Sequence, residues 1–134
     1  NPINVYGASK LAGEKAIAVV GGDYCIVRTS WLYSEYGNNF QTKILAKAKT
    51  APYLEVVSDL YGTPTYAPNL VVFLLNKTND LTMPQKMEHF SDGTAMSWYD
   101  LAKRITQIEV KEIASEALNL KANRPKNTAI LNNL

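Results

Sequence analysis

Tyr6 and Lys10 stand four positions apart in the segment Val5-Tyr6-Gly7-Ala8-Ser9-Lys10. On a helix that spacing puts a phenol and an ammonium on one face, one turn apart. A tyrosine hydroxyl can act as general acid toward a carbonyl oxygen while a nicotinamide delivers hydride to the carbon. Free tyrosine titrates near pH ~10, and a lysine cation within about 4 to 6 Å favours the phenolate, which brings the proton into useful range. The same lysine can hydrogen-bond a nicotinamide ribose and so orient the ring. The spacing alone is weak. Tyr99 also has a lysine four places on, Lys103, within an amphipathic stretch, and a solvated helix face with an incidental pair accounts for either case.

Other reactive side chains say less. His89, in Met87-Glu88-His89-Phe90, reads as a packing residue, and no spacing of His, Cys, Asp or Glu resembles a closed zinc or calcium site. Cys25 is the one cysteine, which excludes an internal disulfide; its apolar surroundings, Tyr24-Cys25-Ile26-Val27, read as those of a buried structural thiol in a reducing compartment. Arg28 lies in the same run and needs a partner that the sequence does not name. The glycines, at 7, 13, 21, 22, 37, 62 and 93, fit no Gly-x-Gly-x-x-Gly pattern, so no pyrophosphate cradle of that kind is encoded.

The elements that must position these groups follow from periodicity. Leu11, Ala12, Ala16, Ile17 and Val20 predict a helix over 8–20, stopped by Gly21-Gly22. Tyr24 to Ser30 reads as a buried strand, 39–50 as a helix ending before Pro52, and Leu54 to Ser58 as a strand. Pro68 suits a first helical turn, and Leu70 to Leu75 continues as a helix buried on most sides until Asn76 and Asp80 end it. Lys86 to Phe90 is a strand. Ser97 and Asp100 resemble a capping box opening a helix whose stripe is Trp98, Leu101, Ala102, Ile105 and Ile108. Beyond Val110 only a helical turn near 114–118 and the break Asn123-Arg124-Pro125 stand out.

This alternation is that of an α/β fold with a mainly parallel sheet. A crossover helix joins two parallel strands, so the helix at 8–20 implies a strand before Asn1, and the chain is expected to be cut from a longer one. With 46% apolar and 19% charged residues the composition is that of a folded globular unit. The net charge of +2 is spread without a cluster that would suit nucleic acid or a membrane surface. No apolar run approaches the roughly 20 residues that span a bilayer, and the expected compartment is the cytoplasm.

Read together, 1–14, Val27-Arg28-Thr29-Ser30-Trp31-Leu32-Tyr33, Gly37-Asn38-Asn39-Phe40, 57–67, Ser97-Trp98-Tyr99 and Asn123-Arg124-Pro125-Lys126-Asn127 resemble the successive signatures of the dTDP-4-dehydrorhamnose reductases. These are extended short-chain dehydrogenase/reductases, and the segments occur in that family's order over nearly the whole chain. Leu60 departs from the pattern, where glutamine is common.

The resemblance implies the carboxyl-terminal part of a Rossmann-like doubly wound parallel sheet plus a small α/β substrate-binding region, without the dinucleotide-binding half. Residues 1–34 would close the Rossmann-like part and 35–134 would form mainly the substrate region, interleaved with the sheet. Tyr6 and Lys10 match the catalytic, cofactor-contacting pair; the cofactor would be NADPH or NADH and the substrate a nucleotide sugar. Trp31 would line the sugar pocket or simply anchor a loop. The amides of Asn38 and Asn39, with Phe40, would receive the sugar's diphosphate or cap the next helix. Arg124 would fork onto phosphate or face water. A homodimer, with Mg2+ at its contact, is also implied. The chain alone is expected to be inactive. The alternatives are a non-catalytic relative such as the regulatory beta subunit of methionine adenosyltransferase, or a reductase or epimerase of another nucleotide sugar.

Overall fold

Asn4 starts the first helix. In the computed structural model, which describes residues 1–78 and 86–132, its side chain accepts from the Gly7 N–H at 2.8 Å and α1 runs Val5–Val20. Gly21 and Gly22, at φ 74° and 87°, stop it as the glycine pair predicts. The helix starts three residues earlier than the apolar stripe shows, because the cap lies outside that stripe. The strand β1, Cys25–Thr29, follows and pairs in parallel with β6, Lys86–Phe90, but the residues of β1 are half-buried or exposed within this chain, against the buried strand expected. Cys25 is only partly buried there, more open than a core thiol.

Two layers can be traced. In the first, α3, Ala67–Thr78, lies against β6: Phe73 stacks on Phe90 at 4.5 Å, and the Lys77 ammonium donates to the buried Glu88 at 2.9 Å. Pro68 sits in the first turn of α3 as read. The expectation that this helix is buried on most sides fails, since none of its residues is buried and Val71, Val72 and Leu75 are more than half exposed. The helix continues through Asn76, where a stop was expected, to Thr78, and Asp80 lies outside the described residues.

The second layer holds the core. Strand β3, Tyr53–Val57, pairs in parallel with β8, Glu109–Ile113, while α2, Phe40–Ala48, and α4, Trp98–Ile105, pack against them. Ile44, Leu54, Val56 and Ala102 form its centre; hiding a side chain such as Leu54, 1% exposed, contributes about 2 kcal/mol. Ser97 and Asp100 form the expected capping box, with Ser97 Oγ accepting from the Asp100 N–H at 3.0 Å. The helix stops at Ile105, short of Ile108, because Thr106 turns extended and its hydroxyl donates to the Ala102 carbonyl at 3.1 Å. Ile108 still reaches the core, from the turn into a strand that periodicity did not reveal.

Short ladders join the layers. β2, Leu32–Tyr33, pairs in parallel with β5, Thr65–Tyr66; β4, Tyr61–Gly62, pairs antiparallel with β7, Met96–Ser97, and parallel with β9, Asn127–Thr128. The turn expected near 114–118 is a 3-10 helix, Ser115–Leu118. The tail after Asn127 is stitched down: Ser30 Oγ donates to the Thr128 carbonyl, and buried Thr63 both donates to the Ile130 carbonyl and accepts from its N–H. No helix among the described residues is long and apolar enough to cross a membrane.

Candidate active site

The first two turns of α1 carry Tyr6 and Lys10, both exposed, Tyr6 to 73%. Together with Glu14, Arg28, Thr29 and Ile130 they line a groove of about 870 Å3 between α1 and β1. The rival pair lies elsewhere: on α4 the Lys103 ammonium sits 5.1 Å over the Tyr99 ring, a cation–π contact that covers the ring.

The partner of Arg28 is Glu14. Arg28 Nε donates to Glu14 Oε1 at 2.7 Å and Nη2 to Oε2 at 2.5 Å, a bidentate fork from strand to helix. That hydrogen bonding holds the Glu14 carboxyl below its usual range, aided by the charges of Arg28, Lys10 and His89 and opposed by partial burial. It raises the Arg28 guanidinium in turn. Sequence reasoning missed this residue, although one signal was available: Glu14 follows Lys10 by the same four positions that separate Lys10 from Tyr6.

Trp31 stands directly beyond β1 with φ 45°, in the left-handed region. Its carbonyl accepts from the Thr65 N–H at 3.2 Å. Its ring lies flat on Trp98, which in turn touches Phe40 at 4.3 Å between centroids. Trp31, Phe40 and Trp98 border a small cavity of about 50 Å3 with Tyr33, Gln41 and Leu101. Trp31 is therefore an anchor between β1 and α4, and Phe40 packs on the same aromatic group.

Asn39 caps α2. Its side-chain oxygen accepts from the Thr42 N–H at 3.1 Å, and its amide nitrogen donates to the carbonyls of Ser34 and Tyr36. Asn38, one residue earlier, is exposed. Arg124 is exposed and borders a third concavity, of about 390 Å3, with Leu60, Glu116 and Lys126. Leu60 is 5% exposed, so the position where glutamine was expected is filled by packing. One hydrogen bond ties the Arg124 loop to the first site: Asn4 Nδ2 donates to the Asn123 carbonyl at 2.8 Å. The structure thus gathers Tyr6 and Lys10 in one groove, and places Trp31 with Phe40, and Arg124, at two others. Among the described residues no group of three or more His, Cys, Asp or Glu is arranged to hold a metal ion, so the Mg2+ implied by resemblance has no such cluster here.

An α/β unit in which a tyrosine and a lysine one turn apart face a groove beside a parallel strand pair is the arrangement of the short-chain dehydrogenase/reductases. The chain belongs, more narrowly, to the RmlD substrate binding domain family, which it matches over residues 1–133. It is 35% identical over 143 residues to a dTDP-4-dehydrorhamnose reductase of Sinorhizobium fredii, covering 96% of this chain and 48% of that protein. The spore coat polysaccharide biosynthesis protein SpsK of Bacillus subtilis is 36% identical over 107 residues, covering 80% of this chain and 37% of its own length. A crystal structure of dTDP-4-dehydrorhamnose reductase from Bacillus anthracis in complex with NADP superposes with a TM-score of 0.93 at 36% identity, over 99% of this chain and 48% of that one. The chain spans about half the length of the curated relatives that it matches most fully.

Proposed function

We propose that the protein carrying this chain reduces the 4-keto group of dTDP-4-dehydro-L-rhamnose to give dTDP-L-rhamnose, with NADPH or NADH as reductant, in the cytoplasm. The observation that carries the reading is the open groove lined by Tyr6 and Lys10 on successive turns of α1. The residues present suit the nicotinamide end of such a cofactor, because an exposed ammonium and a phenol line one open groove. They do not fit its pyrophosphate, for which the chain has no glycine-rich loop. The Bacillus anthracis relative, solved with NADP, supports this choice of cofactor.

When bound, the nicotinamide supplies hydride. Tyr6 donates its hydroxyl proton to the sugar carbonyl oxygen, and the Lys10 ammonium stabilises the phenolate left behind while holding the ribose. On the sugar side, the aromatic group of Trp31 and Phe40 backs the pocket, and Asn38 and Arg124 serve the diphosphate, Arg124 through its guanidinium fork, with Asn39 holding the loop that presents Asn38. Asn39 contributes chiefly through its cap, since both of its side-chain polar atoms are engaged there. Residues 1–34 close the Rossmann-like part and carry the Tyr6 and Lys10 helix, and 35–134 form mainly the substrate-binding region, interleaved with the sheet, in a homodimer.

The test is Tyr6→Phe in the intact protein, followed by nicotinamide absorbance with the keto sugar nucleotide. Loss of the proton donor should lower kcat roughly 100-fold or more and leave nucleotide-sugar binding nearly intact. Unchanged turnover overturns the assignment.

A further inference from the structure

Both reacting side chains ride on α1, yet none of that helix's residues is buried within this chain. The fork from Arg28 to Glu14 links it to β1. Tyr6, Lys10 and Glu14 recur every four residues and fall within about 80° of one another around the helix axis. All three line the same groove.

Lys10 therefore has two oxygen-bearing neighbours at one turn's distance, the phenol of Tyr6 before it and the carboxylate of Glu14 after it. A carboxylate carries a full charge and is the stronger partner for an ammonium. Left unpaired, Glu14 would draw the Lys10 side chain toward itself along the helix face. Arg28 engages both of its oxygens, a planar match that a point charge does not make. The titratable groups facing Glu14 are Arg28 from β1, His89 from the paired strand β6, and Lys10 from its own helix.

We propose that Arg28 is a positioning residue for proton transfer: by holding both carboxylate oxygens of Glu14 it leaves the Lys10 ammonium free to serve Tyr6. This rests on the reductase reading of Tyr6 and Lys10. In the intact protein Arg28→Ala should lower kcat about tenfold while the KM for the nucleotide sugar stays near wild type, because the proton donor loses its cation and the sugar contacts do not change. Adding Glu14→Gln removes the competing carboxylate and should bring kcat back near wild type.

A fork that merely tethers α1 would leave the double variant as slow as Arg28→Ala or slower, and that result overturns the proposal. So does an Arg28→Ala enzyme with wild-type kcat. Should Arg28→Ala fail to accumulate as folded protein, Arg28→Gln alone and with Glu14→Gln makes the same comparison at nearly the same volume. Tyr6→Phe run alongside keeps the two claims apart. A fully active Tyr6→Phe removes the reductase reading, whereas an inactive Tyr6→Phe beside an unaffected Arg28→Ala removes only the role of Arg28.

Discussion

Trp31 lies face to face on Trp98, with ring centroids 3.5 Å apart and planes 11° from parallel. Gly62 makes room for it: a Cβ at that position would stand 2.1 Å from Trp31 Cε2 and 2.3 Å from Nε1. Trp98 covers one face of the ring, and the Trp31 backbone sits in the left-handed region with its carbonyl bonded to the Thr65 N–H.

Gly62→Ala should therefore destabilise the intact protein by about 2 kcal/mol, the usual cost of forcing an extra methyl into a filled space. Tryptophan emission should change with it as the stack opens, and urea unfolding gives the free energy. In a Trp31→Ala background the same substitution should cost little, since the clashing ring is gone. Equal costs in the two backgrounds would show that Gly62 and Trp31 do not share the contact.

Asn38 and Asn39 should separate by assay. Asn39→Ala removes the α2 cap and should cost about 1 kcal/mol of stability, measured by denaturant unfolding, with kcat retained. Asn38→Ala touches no such cap, so any effect should appear as a raised KM for the nucleotide sugar at unchanged stability. A stability loss at Asn38 matching that at Asn39 would contradict the division.

What the sequence made legible was what local patterns decide. The glycine stop after Val20, the capping box at Ser97 and Asp100 and the β1 apolar run each declare themselves within a few residues, and each is found in place. β8 did not, because Glu109-Val110-Lys111-Glu112-Ile113 puts three charges in five positions and becomes a strand only through its distant partner Tyr53–Val57. The two-residue strand of Asn127 and Thr128 likewise exists only against Tyr61 and Gly62. At the site the pattern is the same. Tyr6 and Lys10 are visible within one turn, whereas Arg28 and Glu14 come from separate elements and meet only once α1 folds back over β1.

Asp59 makes a pH-dependent contribution to stability. Its carboxylate accepts from the Ser115 hydroxyl and N–H, both at 2.8 Å, and Lys126 stands 3.7 Å away. The Ser115 hydroxyl bond above all holds its carboxyl below the usual range. A group depressed in the folded state stabilises fully above its unfolded value and loses that contribution as pH falls through the folded one. Urea midpoints of wild type and Asp59→Asn should therefore differ at pH ~7 and converge toward pH ~3, since the ordinary aspartate value is about 3.9. A gap that stays constant across that range would show that the ionised form is not what Ser115 favours.

Asn4 joins two parts of the site with one side chain. Its oxygen takes the Gly7 N–H and caps α1 ahead of Tyr6, while its amide nitrogen gives a hydrogen bond to the carbonyl of Asn123, next to Arg124. Asn4→Asp keeps the cap and loses the donor; Asn4→Ala loses both. If the link to the Arg124 loop matters for the diphosphate, both variants should raise the KM for the nucleotide sugar, while only Asn4→Ala should also lose about 1 kcal/mol of stability. Steady-state kinetics beside urea unfolding makes the comparison. A KM that rises for Asn4→Ala alone would assign the effect to the cap and the placing of Tyr6, leaving Arg124 independent of α1.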